Sequence, residues 1–487
     1  MASPSAARYS MIAEHIQAIL LVLSGVFSLL SAGHALLNKR DPRAALGWVA
    51  MCLLLHPAVG ALLYWGFGVN RIRTRARKWQ RRGHWASRRH VGTSKAIDGD
   101  KIPEPLGSSV ATLVEVSSRV AQWPILGGNR VTMLQNGEGA YPAMLASIRS
   151  AHHSVYLCSY IFDTDETGKS FIDALGAAVE RGCDVRVLVD GLGAMYSFPR
   201  AIGRLRTAGV PAASFLPMSK GVHINLRNHR KLLIVDDATA YTGGMNIGDR
   251  HLAARTANRH RVADLHFEFQ GPAALQMTEV FLDDWRFATG NSATHARLHA
   301  TPAAGNAYCR GITDGPNDDF EKLQWVIIGA ISAARRRVRI MTPYFLPESP
   351  LVSALVAAAL RGVEVEIVLP KQNNLPYVAW ATESLLWQLL VYDIRIYYQP
   401  PPFTHTKYLL IDASYALIGS ANLDPRSLRL NFEFNVEIYD PTVSEELARH
   451  FETTCSRSKR ITLAQVDGRS LPIRLRDACA KLFVPYL

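Results

Sequence analysis

The chain carries one short polar pattern twice, and the spacing of the two copies constrains its fold more than any other feature. His229, Lys231 and Asp236 stand in the order H-x-K-x4-D, and His405, Lys407 and Asp412 repeat it. A small-residue turn ending in Asn follows each copy: Gly243-Gly244-Met245-Asn246, then Gly419-Ser420-Ala421-Asn422. The likeness spreads outward. Residues 180–191 align with 360–371, the run 155–162 answers 338–345, and the run opening at Asp264 answers that opening at Glu433. A period of about 180 residues is far above solenoid lengths, so the repeat specifies two domains rather than an array.

Both halves show the same order of elements. An apolar strand (155–162; 337–346) precedes an amphipathic helix (169–181; 350–361) and a second apolar strand (183–190; 363–369). The motif strand (229–236; 405–412) and a further strand (239–243; 415–419) come later. Apolar strands alternating with helices predict an α/β fold, with helices on both faces of a mixed sheet. The Pro/Gly/Asn-rich stretch 301–319 reads as the boundary between halves.

Strand alternation puts His229 and Lys231 on one face. Asp236 lies at an odd offset, at the strand end, so Asp236 and Asp412 read as residues that fix the motif rather than carry protons. Two imidazoles, two ammoniums and two amides suit phosphodiester transfer: one His attacks phosphorus while the other protonates the leaving group. Each imidazole needs an acceptor on its second nitrogen to set the tautomer, and the repeat nominates Asp264 and Glu433. The candidate set is therefore His229, Lys231, Asp236, His405, Lys407 and Asp412, supported by Asn246, Asn422, Asp264 and Glu433.

The remaining polar features are blander. The six cysteines have no C-x-x-C spacing, so neither zinc nor a disulfide frame is indicated. His152, His153, His223, His251 and His260 read as surface or loop residues. No nucleotide-binding glycine fingerprint is present.

With these motifs in hand, the chain resembles the phospholipase D superfamily and, within it, the bacterial cardiolipin synthases. Tyr160-Ile161-Phe162, the run 342–347 from Thr342 to Pro347, the run 242–247 and Asn431-Phe432-Glu433 carry that resemblance beside the paired motifs. It implies two repeated phospholipase D-like α-β-α sandwich domains. It also implies transfer of a phosphatidyl group between two phosphatidylglycerols through a phosphohistidine, giving cardiolipin and glycerol. The alternative is a phospholipase D-type hydrolase, or a transphosphatidylase using another alcohol. His229 is the nucleophile by the same resemblance. No cofactor or metal is expected, since the two lysines supply the positive charge a divalent ion otherwise would.

Residues 16–37 and 44–69 are apolar, and each exceeds the roughly 20 residues needed to cross a bilayer core. Only a short polar turn separates them, which predicts an N-terminal two-helix transmembrane hairpin; because His56-Pro57 and several glycines interrupt the second stretch, a re-entrant or interfacial second arm is the alternative. Net charge is +13, and Arg71, Arg73, Arg75, Arg77, Lys78, Arg81, Arg82, Arg88 and Arg89 follow the second stretch. The positive-inside rule then puts the catalytic domains in the cytoplasm, as a multi-pass protein of the bacterial inner membrane. The same basic stripe attracts anionic lipid headgroups. The expected partners are thus the membrane and anionic phospholipid (phosphatidylglycerol), not nucleic acid. The expected organisation is a hairpin at 1–70, a basic juxtamembrane segment and linker at 71–126 with a short helix near 110–121, a first domain at 127–300 and a second at 301–487.

Overall fold

A computed structural model describes residues 4–39, 42–55, 58–68, 107–121, 123–217, 226–291, 301–316 and 319–484. It divides into two compact units, Met1–Lys78 and Trp79–Leu487. The basic residues 71–89 and the first part of the expected linker lie outside the described residues, as do His56, Pro57 and His223.

In the first unit, one helix runs Pro4–Asn38, and its Glu14–Asn38 portion is long and apolar enough to cross a membrane. Leu20, Leu30 and Leu36 face outward on it. The second apolar stretch is not one continuous helix. It forms Pro42–Leu54, then Val59–Leu63 and a π-helical turn Tyr64–Gly68. Thirteen residues rise only about 20 Å. The break has a backbone cause: Ala58 is left-handed (φ 70°), and at Gly60 a Cβ would lie 1.9 Å from the Met51 carbonyl oxygen. The returning segment pairs its polar groups with the first helix, with Tyr64 Oη 2.7 Å from His34 Nδ1 and Trp65 Nε1 donating to Ser31 Oγ at 2.9 Å.

The second unit is built on a 15-stranded sheet whose order is a palindrome of the repeat. The first half supplies β1 (Leu126–Gln135), β2 (Ser154–Ser159), β3 (Asp184–Asp190), β4 (Ala212–Phe215), β5 (Leu232–Val235), β6 (Thr239–Gly243), β7 (Val262–Ala263) and β8 (Leu265–Gln270). The second supplies β9 (Ala307–Asp314), β10 (Arg337–Met341), β11 (Glu364–Pro370), β12 (Arg395–Gln399), β13 (Phe403–Thr404), β14 (Tyr408–Ile411), β15 (Tyr415–Gly419), β16 (Glu433–Tyr439) and β17 (Lys459–Ile461). From one edge the order in this sheet is β17-β12-β11-β10-β14-β15-β16-β9, then β1-β8-β6-β5-β2-β3-β4, while β7 and β13 form a separate two-stranded sheet. The two runs meet where β9 and β1 pair antiparallel. Parallel pairs (β2·β3, β10·β11) and antiparallel pairs (β5·β6, β14·β15) coexist, so the sheet is mixed.

Strand alternation explains why these strands are apolar throughout. Val155 and Leu157 of β2 pack under the outer helices of the first half, whereas Tyr156 and Cys158 enter a layer shared by both halves. In β14, Leu409 and Ile411 face the second half's outer helices while Tyr408 and Leu410 enter the shared layer. Strands covered on both faces lose the polar alternation of half-exposed ones. The helices Ala273–Thr289 and Pro441–Ser456 pack in the shared layer.

Two expectations are sharpened here. The stretch 301–319 is not merely a boundary: it contains β9, buried along nearly its whole length. Arg310 and Gly311 hide it from a hydrophobic pattern, but Arg310 is buried in an ion pair, its Nε donating to Glu437 Oε2 at 2.7 Å. The short helix expected near 110–121 is formed over Gly107–Val120. Helix Gly107–Val120 packs Val110, Leu113 and Val114 into the second half's core, so this segment before the first domain completes the second.

Candidate active site

The two motif aspartates act as buckles. Asp236 and Asp412 sit in the left-handed region (φ 51° and 53°), which a short polar side chain tolerates. Asp236 accepts the backbone N–H groups of His152, His153 and Ser154 at 2.9, 2.8 and 2.8 Å. Asp412 accepts those of Arg335, Arg336 and Arg337 at 3.2, 2.8 and 2.9 Å. Each therefore ties the turn after its motif strand to the start of the neighbouring strand, β2 or β10.

Those strands are shorter than the sequence suggests, because β5 begins at Leu232 and β14 at Tyr408. The residues just before them leave the sheet and cross to the other half. His229 N–H donates to Phe432 O at 2.9 Å and Phe432 N–H to Arg227 O at 2.8 Å. In the mirror arrangement, His405 N–H donates to Ala263 O at 2.8 Å while β13 pairs with β7. The crossing decides which carboxylate meets which histidine. His229 Nδ1 lies 3.1 Å and 3.2 Å from the two oxygens of Glu433, and His405 Nδ1 lies 3.0 Å from Asp264 Oδ2. Each half thus orients the other half's imidazole, an exchange that linear alignment of the repeats does not reveal.

Both carboxylates are locked in place. Glu433 accepts from Ser420 Oγ and from Asn431 Nδ2 at 3.0 Å. Asp264 accepts from Leu265 N–H at 2.8 Å and presses against Gly244, where a Cβ would sit 2.5 Å from both its oxygens. The Gly244/Ser420 difference between the repeats therefore has a steric reason: room for Asp264 in one, a hydroxyl for Glu433 in the other. Arg230, between His229 and Lys231, points away from them. It pairs with buried Asp284 at 2.6 Å and donates to Glu433 O at 3.1 Å, anchoring the motif to helix Ala273–Thr289.

His229 and His405 line one cleft, together with Asn246 and Asn422. Lys231 and Lys407 are buried behind them; Lys231 Nζ donates to His229 O at 2.7 Å, and Lys407 Nζ reaches His405 O and lies 2.9 Å from His405 Nδ1. Tyr160 and Tyr344 stand edge-on to the imidazoles, with ring centroids 5.2 Å from His229 and 6.1 Å from His405.

The cleft also holds residues that sequence reasoning passed over. Arg227, Arg250 and Arg426 line it. Arg250 and Arg426 each follow a motif Asn by four positions, so the repeat itself could have flagged them. His251 is a correction: it is buried at the cleft, where its Nε2 accepts Asn246 N–H at 3.2 Å. His152, His153 and His260 are exposed.

Burial dominates the electrostatics. It lowers His229 below the usual imidazole range against the pull of Glu433, and holds His405 well below it, with Lys407 adding to the effect. Both rings are therefore neutral at pH 7, with Nδ1 bonded to a carboxylate. Burial also draws Lys231 down to about 8 and Lys407 to about 7, opposed chiefly by Glu433 and Asp264 respectively. For Glu433, burial works against ionisation, but His229 and Lys231 outweigh it and hold the carboxyl at about 2. A neutral, oriented imidazole beside buried ammoniums suits attack on an anionic phosphorus centre.

Comparison with known proteins shows the family. The family model described as cardiolipin synthase, PLD-like domain, matches residues 144–285 and 327–455, one segment in each half. The cardiolipin synthase of Oceanobacillus iheyensis is 31% identical over 479 residues, covering 97% of this chain and 100% of that protein. The major cardiolipin synthase ClsA of Bacillus subtilis is 31% identical over 488 residues, with the same two coverages. Among solved structures, the phosphatidylserine synthase of Haemophilus influenzae superposes with a TM-score of 0.60 at 16% identity, covering 78% of this chain and 100% of that one. At that identity the likeness speaks for the fold.

Proposed function

The chain belongs to the cardiolipin synthase family of phospholipase D-like proteins, and from that premise we propose that it moves a phosphatidyl group from one phosphatidylglycerol to the terminal glycerol hydroxyl of another. The observation that carries this reading is the meeting of His229 and His405 in one cleft, each oriented by a carboxylate from the opposite half.

With Nδ1 of each ring committed to a carboxylate, Nε2 is the nitrogen available for chemistry. His229 Nε2 attacks phosphorus and the P–O bond to the departing glycerol breaks; His405, which takes up a proton at Nε2 as the anionic phosphate binds beside it, delivers that proton to the leaving oxygen. The enzyme is then phosphatidylated on His229. In the second step His405 takes the proton from the incoming hydroxyl. The new P–O bond forms, the P–N bond breaks, and cardiolipin leaves. Glu433 stabilises the positive charge on His229 while it bears phosphorus, and Asp264 does so for protonated His405. The ammoniums of Lys231 and Lys407, with the Asn246 and Asn422 amides, balance charge on the phosphoryl oxygens.

The same reading holds the enzyme at the inner membrane. The Pro4–Asn38 helix spans it, and the 42–68 segment returns beside that helix as the second arm of a hairpin. The basic run from Arg71 to Arg89 keeps the catalytic domains on the cytoplasmic side. Met195, Tyr196 and Phe198 are exposed in the turns after β3, and Tyr377 in the first turn of helix Pro376–Glu383 after β11; Tyr196 and Tyr377 also line the cleft. Phe198 is 97% exposed. Exposed aromatics of this kind suit a lipid interface.

The test is product analysis. Purified protein in detergent, given phosphatidylglycerol, yields cardiolipin and glycerol in equal amounts. Phosphatidic acid as sole lipid product overturns the transferase reading.

A further inference from the structure

The two sides of the cleft are related by the internal repeat, yet their polarity is opposite. The strand segment entering each motif runs beside the segment carrying the other half's carboxylate. In the second-half motif, Phe403 pairs with Val262. In the first-half motif the bridge joins Asn228 to Phe432 in the same parallel sense, which sets Arg227 beside Asn431. The equivalence is close: His405 N–H to Ala263 O on one side matches His229 N–H to Phe432 O on the other. All four residues line the cleft. Next to His405 the wall is thus a Phe/Val pair, and next to His229 it is an Arg/Asn pair.

A second arginine falls on the same flank. Arg250 and Arg426 occupy matching places after Asn246 and Asn422. Arg250 is neutralised by Asp163 through bonds of 2.9 and 2.7 Å. Arg426 acts electrostatically on Arg227 and on Tyr160, so it belongs to the His229 flank. Two carboxylates stand nearby, Asp190 acting on Arg227 and Asp424 on Arg426, and both also accept backbone amides. Asp190 accepts from Leu192, Gly193 and Asn228, and Asp424 from Ser427.

Joining two phosphatidylglycerols requires room for two phosphates, and the paired histidines act on one. We propose that Arg227, Arg426 and Asn431 form a subsite for the phosphate and glycerol of the second, accepting lipid, while the Phe403/Val262 wall takes apolar parts of the donor. Arg227 and Arg426 neutralise the acceptor phosphate. Asn431, whose Nδ2 is bonded to Glu433, keeps its Oδ1 for a hydroxyl donor. The subsite makes a phosphate-bearing alcohol a better acceptor than water or a small neutral alcohol. This rests on the transfer reading above.

The experiment uses full-length protein with dioleoylphosphatidylglycerol vesicles and a fixed concentration of methanol, and measures cardiolipin and phosphatidylmethanol together. Both products pass through the same first step, but only cardiolipin needs the second phosphate to be held. Arg227→Gln lowers the cardiolipin-to-phosphatidylmethanol ratio about tenfold, the worth of one charge-assisted contact. A ratio within threefold of the parent, in a variant with the parent's melting temperature, overturns the subsite. Should Arg227→Gln melt early, Arg426→Gln decides by the same criterion. Parent enzyme that makes phosphatidylmethanol but no cardiolipin defeats the transfer reading instead, so the two failures are distinguishable.

Discussion

Replacing Glu433 by Gln tests the exchange of carboxylates between halves. The substitution keeps size and shape but removes the charge 3.1 Å from His229 Nδ1. The proposed chemistry places a positive charge on the His229 ring when it bonds to phosphorus. Two unit charges about 4 Å apart attract by about 4 kcal/mol at the effective dielectric of a protein interior. An amide also permits the wrong imidazole tautomer. Losing about 4 kcal/mol of stabilisation slows the first step roughly a thousandfold. Because every acceptor depends on that step, cardiolipin, phosphatidylmethanol and phosphatidic acid formation fall together. The assay is turnover at saturating phosphatidylglycerol, with melting temperature as the folding control. A folded Glu433→Gln enzyme that keeps more than a tenth of parent activity refutes the assignment of this second-half carboxylate to the first-half histidine.

Gly244→Ala drives a methyl into the Asp264 carboxylate, so cardiolipin synthesis falls at least tenfold. A variant with parental turnover contradicts the packing argument. Asp236→Asn removes the charge from a cup of three backbone N–H groups, at a cost of about 1–3 kcal/mol. Calorimetry should show a lower melting temperature, while turnover of the folded enzyme stays within about threefold. Activity should decline as pH rises through about 7 to 8, because burial makes Lys407 and then Lys231 lose their protons there. A rate flat to pH 9.5 removes the ammoniums from the mechanism. Phe198→Ser should weaken binding of the enzyme to anionic vesicles yet spare turnover in detergent micelles. Equal losses in both would remove this loop from the membrane surface.

The sequence discloses much of this because the repeat is a second reading of every important position. The strand pairs at 239–243 and 415–419, the helices after β2 and β10 and the four motif residues each appear twice, and pattern and parity then agree. What stays hidden is what two halves do to each other. Nothing in the order of residues says that Glu433 crosses to His229 rather than serving His405. That choice is made by backbone bonds between segments about 200 residues apart, such as His229 to Phe432. His251 is hidden for a related reason, since a polar residue in a Gly/Asp-rich loop reads as surface until the loop folds onto Asn246. β9 is hidden because its arginine is polar by composition but buried by pairing with Glu437. The second apolar stretch is legible in part. Its length and apolarity read as a span, its interruption at His56-Pro57 reads as a break, and the left-handed turn at Ala58 divides it.

The most direct measurement is the mass of the covalent intermediate. The His405→Ala enzyme, given a phosphatidylglycerol analogue with a good leaving group and quenched in base, should carry one phosphatidyl adduct on the peptide containing His229. An adduct on any other residue, or none while the analogue is still consumed, contradicts the account.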